Sequence, residues 1–99
     1  MKKDFLSITS GNIPILIDFY ADWCGPCKTL APILKEVKKE LGDSVKIIKI
    51  DVDKNQALAT KFQVRGVPTM MLFKNNKQLW RQSGVLPKND IITIVKSHQ

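Results

Sequence analysis

The chain has 99 residues, 43% hydrophobic and 25% charged, a globular composition that excludes intrinsic disorder and predicts one domain over residues 1–99. No apolar run approaches the roughly 20 residues of a membrane span, and Phe5-Leu6-Ser7-Ile8 after Met1-Lys2-Lys3 is shorter than a signal-peptide core. The formal charge of +7 comes from lysines spread along the chain without interleaved aromatics, which speaks against a nucleic-acid reader.

In chain order, residues 2–10 read as weakly helical, ended by Gly11-Asn12. Ile13 to Tyr20 is apolar on both parities, the pattern of a central strand covered on both faces. From about Cys24 to Leu41 the apolar Leu30, Ile33, Leu34, Val37 and Leu41 recur at helical spacing, opposite Lys35, Glu36, Lys38, Lys39 and Glu40. Gly42 is placed to cap that helix, and Pro32 inside it removes one backbone donor and predicts a kink. Val45 to Asp51 predicts a second strand, parallel to the first because a helix joins them. Asp53 or Asn55 is the expected cap of a short helix carrying Leu58, Ala59 and Phe62. Thr69–Lys74 and Gln78–Ser83 flank Asn75-Asn76, a hairpin turn made of residues that tolerate positive φ. Pro87 opens a last helix that buries Ile91, Ile92, Ile94 and Val95. The fold class is α/β, a mixed sheet flanked by helices. Met70 and Met71 read as core, Trp80 as packing and His98 as solvated.

The only two cysteines lie in Trp23-Cys24-Gly25-Pro26-Cys27-Lys28, at the step from the first strand into the long helix. Two thiols at this spacing can close and reopen a small disulfide, which carries two electrons. The thiolate is the nucleophile, and a helix start, with unpaired N–H groups and a positive dipole end, favours it at Cys24. Cys27, a turn further in and expected to be less exposed, gains less and resolves the mixed disulfide that Cys24 forms. Pro26 fits the first turn, where its missing N–H is unpaired anyway, and Gly25 is read as permitting a tight turn. Asp18 is a lone carboxylate in an apolar strand, so burial should raise its pKa toward neutrality, where it can exchange a proton with Cys27.

The run from Asp18 to Lys28 resembles the active-site segment of the thioredoxin family. Ala31-Pro32, Gly66-Val67-Pro68-Thr69 and Gly84 follow at matching positions, and the likeness covers roughly residues 13–99. The resemblance implies a thioredoxin fold. Only twelve residues precede Ile13, so about four strands are expected, with the family's first edge strand absent or vestigial. It further implies a thiol–disulfide oxidoreductase that reduces protein disulfides, and a Lys49 that lies beside Asp18 and tunes it. Pro68 is implied to be cis and to lie against the cysteines. Trp23, Gly25, Pro26, Val67, Gly84 and Val85 should rim a flat apolar surface for extended partners. Related oxidases and isomerases commonly carry His where Pro26 stands, and a stabilised thiolate makes a stronger oxidant, so Gly25-Pro26 argues for a reductase. The implied partners are disulfide-containing proteins and a flavin- and NADPH-dependent thioredoxin reductase. The protein itself is expected to be a cytoplasmic monomer without cofactor, metal, nucleic acid or membrane.

Other readings fare worse. Two cysteines and a remote His98 do not make a structural zinc site, and Lys28 stands where haem attachment requires His. As a purely structural link, so short a disulfide loop constrains the unfolded chain by only about 2 kcal/mol. A redox-inactive binding module would not need Cys24, Cys27, Asp18 and Pro68 together. The lysine excess (Lys35, Lys38, Lys39, Lys46, Lys54, Lys61, Lys74, Lys77, Lys88 and Lys96 among them) reads as a solvated surface, with a preference for acidic protein partners as its modest alternative.

Overall fold

The computed structural model describes residues 5–99. The elements are α1 (Phe5–Thr9), β1 (Ile15–Tyr20), α2 (Gly25–Leu41), a 3₁₀ turn (Gly42–Ser44), β2 (Lys46–Asp51), α3 (Gln56–Lys61), β3 (Thr69–Lys74), β4 (Lys77–Ser83) and α4 (Lys88–Lys96). This is the expected order with the 3₁₀ turn added; residues 2–4 of the first expected helix lie outside the described residues. Among the described residues the sheet has four strands in the order β2-β1-β3-β4. β1 runs parallel to β2 and antiparallel to β3, and β3 and β4 form a hairpin.

Strand alternation sorts the core into two layers. Leu16, Met70 and Leu72 face α2 and α4 and pack with Leu30, Leu34, Val37, Ile91, Ile92 and Val95. Ile15, Ile17, Phe19, Met71 and Phe73 face the other way, where Phe5 of α1 and Leu58 of α3 cover them with Phe62. Met70 and Met71 are fully buried, one on each side. Trp80 packs against the α2/α4 layer as expected. A register shift between Leu72 and Phe73 leaves Leu79 at the surface.

The turns explain themselves residue by residue. Asn75 and Asn76 both have positive φ, and their N–H groups donate to the carbonyls of Gly11 and Thr9, tying the hairpin to the segment after α1. Gly42, at φ 57°, ends α2 and donates its N–H to Lys38. That helix runs unbroken from Gly25 to Leu41 through Pro32. Asn55 stands at the start of α3 but makes no capping bond. Its amide donates to the Asp51 carbonyl instead, while the Asp51 carboxylate accepts the N–H groups of Asp53 and Lys54. Asp51 thus organises the turn that leads into α3, and neither Asp53 nor Asn55 makes the expected side-chain cap. His98 is half-buried, not solvated: its Nδ1 lies 2.9 Å from the carbonyl oxygen of Ile94 near the end of α4.

Candidate active site

β1 and β2 are parallel, so their carboxyl ends lie together, the usual place for a site in an α/β sheet. β1 ends at Tyr20, and after a short turn α2 begins at Gly25 with Pro26 in its first turn and Cys24 as its N-cap. The cap is made by sulfur: the Cys27 N–H donates to Cys24 Sγ at 3.0 Å. Cys24 and Cys27 are joined as a disulfide with Cα atoms 5.3 Å apart. They form a small buried cluster with Ala21, against which Tyr20, Val52 and Val67 pack. The expected contrast in exposure is absent, since Cys24 is 3% and Cys27 5% exposed. What separates the two is position. Cys24 Sγ occupies the helix end, 3.5 Å from the Val67 carbonyl oxygen.

Asp18 follows Leu16 by two residues and therefore faces α2 from below. Its side chain is 1% exposed, and neither carboxylate oxygen has a hydrogen-bond partner among the described residues. Desolvation raises its pKa to about 6, partly opposed by the positive charge of Lys49. The register explains that neighbour, because Asp18 lies directly beside Lys49 in the parallel β1–β2 pair. The Lys49 ammonium sits 4.6 Å from the centroid of the Tyr20 ring. Tyr20, Ala21, Asp22, Cys27, Lys28, Ala31 and Lys49 line a cleft of about 130 Å³, large enough for water to reach Cys27.

The third part is the loop before β3. The Val67–Pro68 peptide is cis, as the resemblance implied, and Pro68 is buried while Val67 is half-buried. Gly84, at φ 93°, donates its N–H to the Pro68 carbonyl at 2.9 Å, which sets Gly84 and the exposed Val85 beside the loop. Trp23 is 70% exposed, so it is not a core aromatic. Its Nε1 donates to the Asp53 carboxylate at 2.9 Å, and the indole shares a cleft with Val52, Val64, Arg65, Gly66 and Val67. Gly25 corrects its expected role: its φ is not positive and a Cβ there would meet nothing within 4 Å, so the turn does not require glycine. With Pro26 it is exposed at the mouth of the site.

The geometry is matched by kinship. The family model described as Thioredoxin matches residues 1–97. The chain belongs to the thioredoxin family. It is 46% identical over 96 residues to a thioredoxin of Haemophilus influenzae, covering 96% of this chain and 90% of that protein. It is 41% identical over 85 residues to a thioredoxin of Rickettsia prowazekii, covering 86% and 81%. Among solved structures, a single-residue mutant of a thioredoxin from Halobacterium salinarum superposes with a TM-score of 0.88 at 38% identity, covering 99% of this chain and 85% of that one. The family and the close cysteine pair make this protein a thiol–disulfide oxidoreductase.

Within this thioredoxin fold the sequence reading overlooked three residues. Tyr20, which holds the Lys49 ammonium, looked like the end of a strand. Asp53, which holds Trp23, looked like a helix cap. Arg65 lies in the Trp23 cleft but carried no signal beyond its place just before Gly66-Val67. Among the described residues no three His, Cys, Asp or Glu side chains gather as a metal site, and no helix is long and apolar enough to cross a membrane.

Proposed function

We propose that the protein reduces disulfides of other proteins, with Cys24 as nucleophile and Cys27 as resolving thiol. In the reduced state the Cys24 thiolate attacks one sulfur of a substrate disulfide. The substrate S–S bond breaks, a substrate thiolate leaves, and a Cys24–substrate disulfide forms. Asp18 accepts the proton of Cys27, whose thiolate then attacks Cys24 Sγ. The second substrate thiolate departs, solvent supplies its proton, and the Cys24–Cys27 disulfide holds the oxidising equivalents. The observation that carries the assignment is the sulfur cap: the same N–H that donates to Cys24 Sγ would stabilise a thiolate there.

Lys49 tunes Asp18, and Trp23, Gly25, Pro26, Val67, Pro68, Gly84 and Val85 bind the extended substrate around the dithiol. The electron donor is a flavin- and NADPH-dependent thioredoxin reductase, in a reducing compartment such as the cytoplasm. Every group used belongs to one chain, so a monomer suffices. The decisive experiment is trapping. Cys27→Ser should accumulate mixed disulfides through Cys24, and Cys24→Ser should not; equal trapping overturns the division of labour. A reduction potential more oxidising than about −200 mV would overturn the reductase direction.

A further inference from the structure

β2 is an edge strand, and among the described residues nothing pairs with its outer side. The N–H of Lys46 donates to Pro14 and that of Val52 to Tyr20, so the even positions of this stretch point into the sheet. By alternation the N–H and C=O groups of Ile47 and Lys49 point outward. Beside this edge runs a groove of about 210 Å³ lined by Ala31, Leu34, Lys35, Lys38, Ile47 and Lys49. The helical members stand at i, i+3, i+4 and i+7 on one face of α2, and the strand members share the α2 side of the sheet. The floor is apolar and the rim is three lysines. The one side-chain ion pair among the described residues, Lys88–Glu40, lies elsewhere; of the rim lysines only Lys49 has a carboxylate as register neighbour, the buried Asp18, and Lys35 and Lys38 make no ion pair among the described residues. Lys38 is held there by the carbonyls of Gly42 and Val45, both at 2.8 Å. The groove shares Ala31 and Lys49 with the cleft beside Cys27 and so continues the active-site surface.

We infer that this edge docks an extended acidic segment of a partner protein as an added strand. Outward N–H and C=O groups supply the ladder, and every second side chain of the guest enters the groove. An apolar guest residue meets Leu34 and Ile47, and flanking carboxylates meet Lys35, Lys38 and Lys49. A second copy of the chain is the wrong guest, because pairing two such edges sets Lys46 and Lys49 against their own kind.

The test uses the oxidised full chain, labelled with ¹⁵N, and blocked hexapeptides. These are Glu-Thr-Val-Thr-Glu-Thr, its counterpart with Lys for Glu, and the acidic peptide N-methylated at alternate amides. The acidic peptide should shift the amides of Ile47 and Lys49 and slow their exchange, with binding that weakens as salt rises. The basic and methylated peptides should bind at least about tenfold more weakly. Lys35→Glu should weaken the acidic peptide about fivefold, and it should leave reduction of a small synthetic disulfide unchanged. The proposal fails if acidic and basic peptides bind alike or not at all, as expected if the lysines only guard the edge. It also fails if shifts appear at Val67 and Trp23 alone. Amides of Ile47 and Lys49 already protected in the free protein would mean that another part of this chain covers the edge. Concentration-dependent dimerisation through β2 would mean that a second copy does. Either result overturns it.

Discussion

On the side of the sheet covered by α1 and α3, Ile15, Ile17, Phe19, Met71 and Phe73 meet Phe5 and Phe62 in an apolar layer. The Phe62 ring lies 5.8 Å from Phe73 and 6.3 Å from Phe19, and Phe5 touches both Phe62 and Phe73. On the side covered by α2 and α4 the packing is equally apolar as far as Leu16, and the next position on that face of β1 is Asp18. Neighbouring residues of one strand thus do opposite work. Phe19 adds burial and aromatic contact, worth several kcal/mol. Asp18 costs stability, because an ionised carboxylate is held out of water with no hydrogen bond inside the described protein. The face that tolerates this cost is the one under Cys27. Stability is given up at the position to which the proposed mechanism assigns the proton of Cys27, and it is recovered on the opposite side.

Four substitutions test this contrast. Phe19→Ala opens a cavity in the aromatic layer and should cost about 3–5 kcal/mol of unfolding free energy, equally at pH 5 and pH 8. A strong pH dependence of that loss in denaturant titrations would show that the two faces are not separate. Asp18→Asn should act in the other direction. The folded pKa of about 6 lies above the ordinary value of 3.8, so the native state binds this proton more tightly than the unfolded chain does. Stability from this group is present below about pH 4 and is lost as pH rises to about 6. At pH 8 the variant of the oxidised protein should therefore gain on the order of 2–3 kcal/mol, and the gain should vanish toward pH 3. Resolution of the mixed disulfide should slow in the same variant. Destabilisation at pH 8 with unchanged turnover would make Asp18 a structural residue.

Lys49→Met removes the charge that opposes desolvation, so the Asp18 titration followed by NMR should move above about 6. An unmoved midpoint would mean that the two groups do not communicate. The smallest effect is expected on the aromatic face. Gln63, at φ 55°, follows α3 in the position where helices usually place glycine. The N–H of Gln63 donates to Thr60 and that of Val64 to Ala59, the paired bonds of that motif. Gln63→Gly should stabilise the fold by about 0.5–1 kcal/mol at every pH, read as a shift in denaturant midpoint. No change would mean that the side chain offsets its backbone strain.

Legibility followed how local each signal was. The hairpin was readable because Asn75 and Asn76 carry their own tolerance of positive φ, and α2 because its apolar stripe repeats over 17 residues. The α3 cap misled because Asp51, Asp53 and Asn55 are interchangeable turn formers on paper. Only the Trp23 indole at one end and the Asp51-centred turn at the other distribute their roles. The relation of Lys49 to Asp18 was implied by resemblance alone, since 31 positions separate them; the parallel register supplies its physical cause. Equal burial of Cys24 and Cys27 was not readable either, because exposure of a helix start depends on what packs over it, here Val67 and Tyr20.

Residue type and short-range spacing were enough to set the chemistry: two thiols at helix-start spacing, a carboxylate in a strand that has no other, and a proline two residues from the first thiol. These are covalent and local properties, carried by the side chains and the few bonds between them. Which groups meet was settled by long-range packing. Register set Lys49 beside Asp18, the path of the chain after β4 brought Gly84 to the Pro68 carbonyl, and strand order left the lysine-bearing β2 at the edge. Those choices depend on contacts between residues far apart in the chain. Burial of two apolar layers on one sheet selects them together, so no short stretch of sequence contains them.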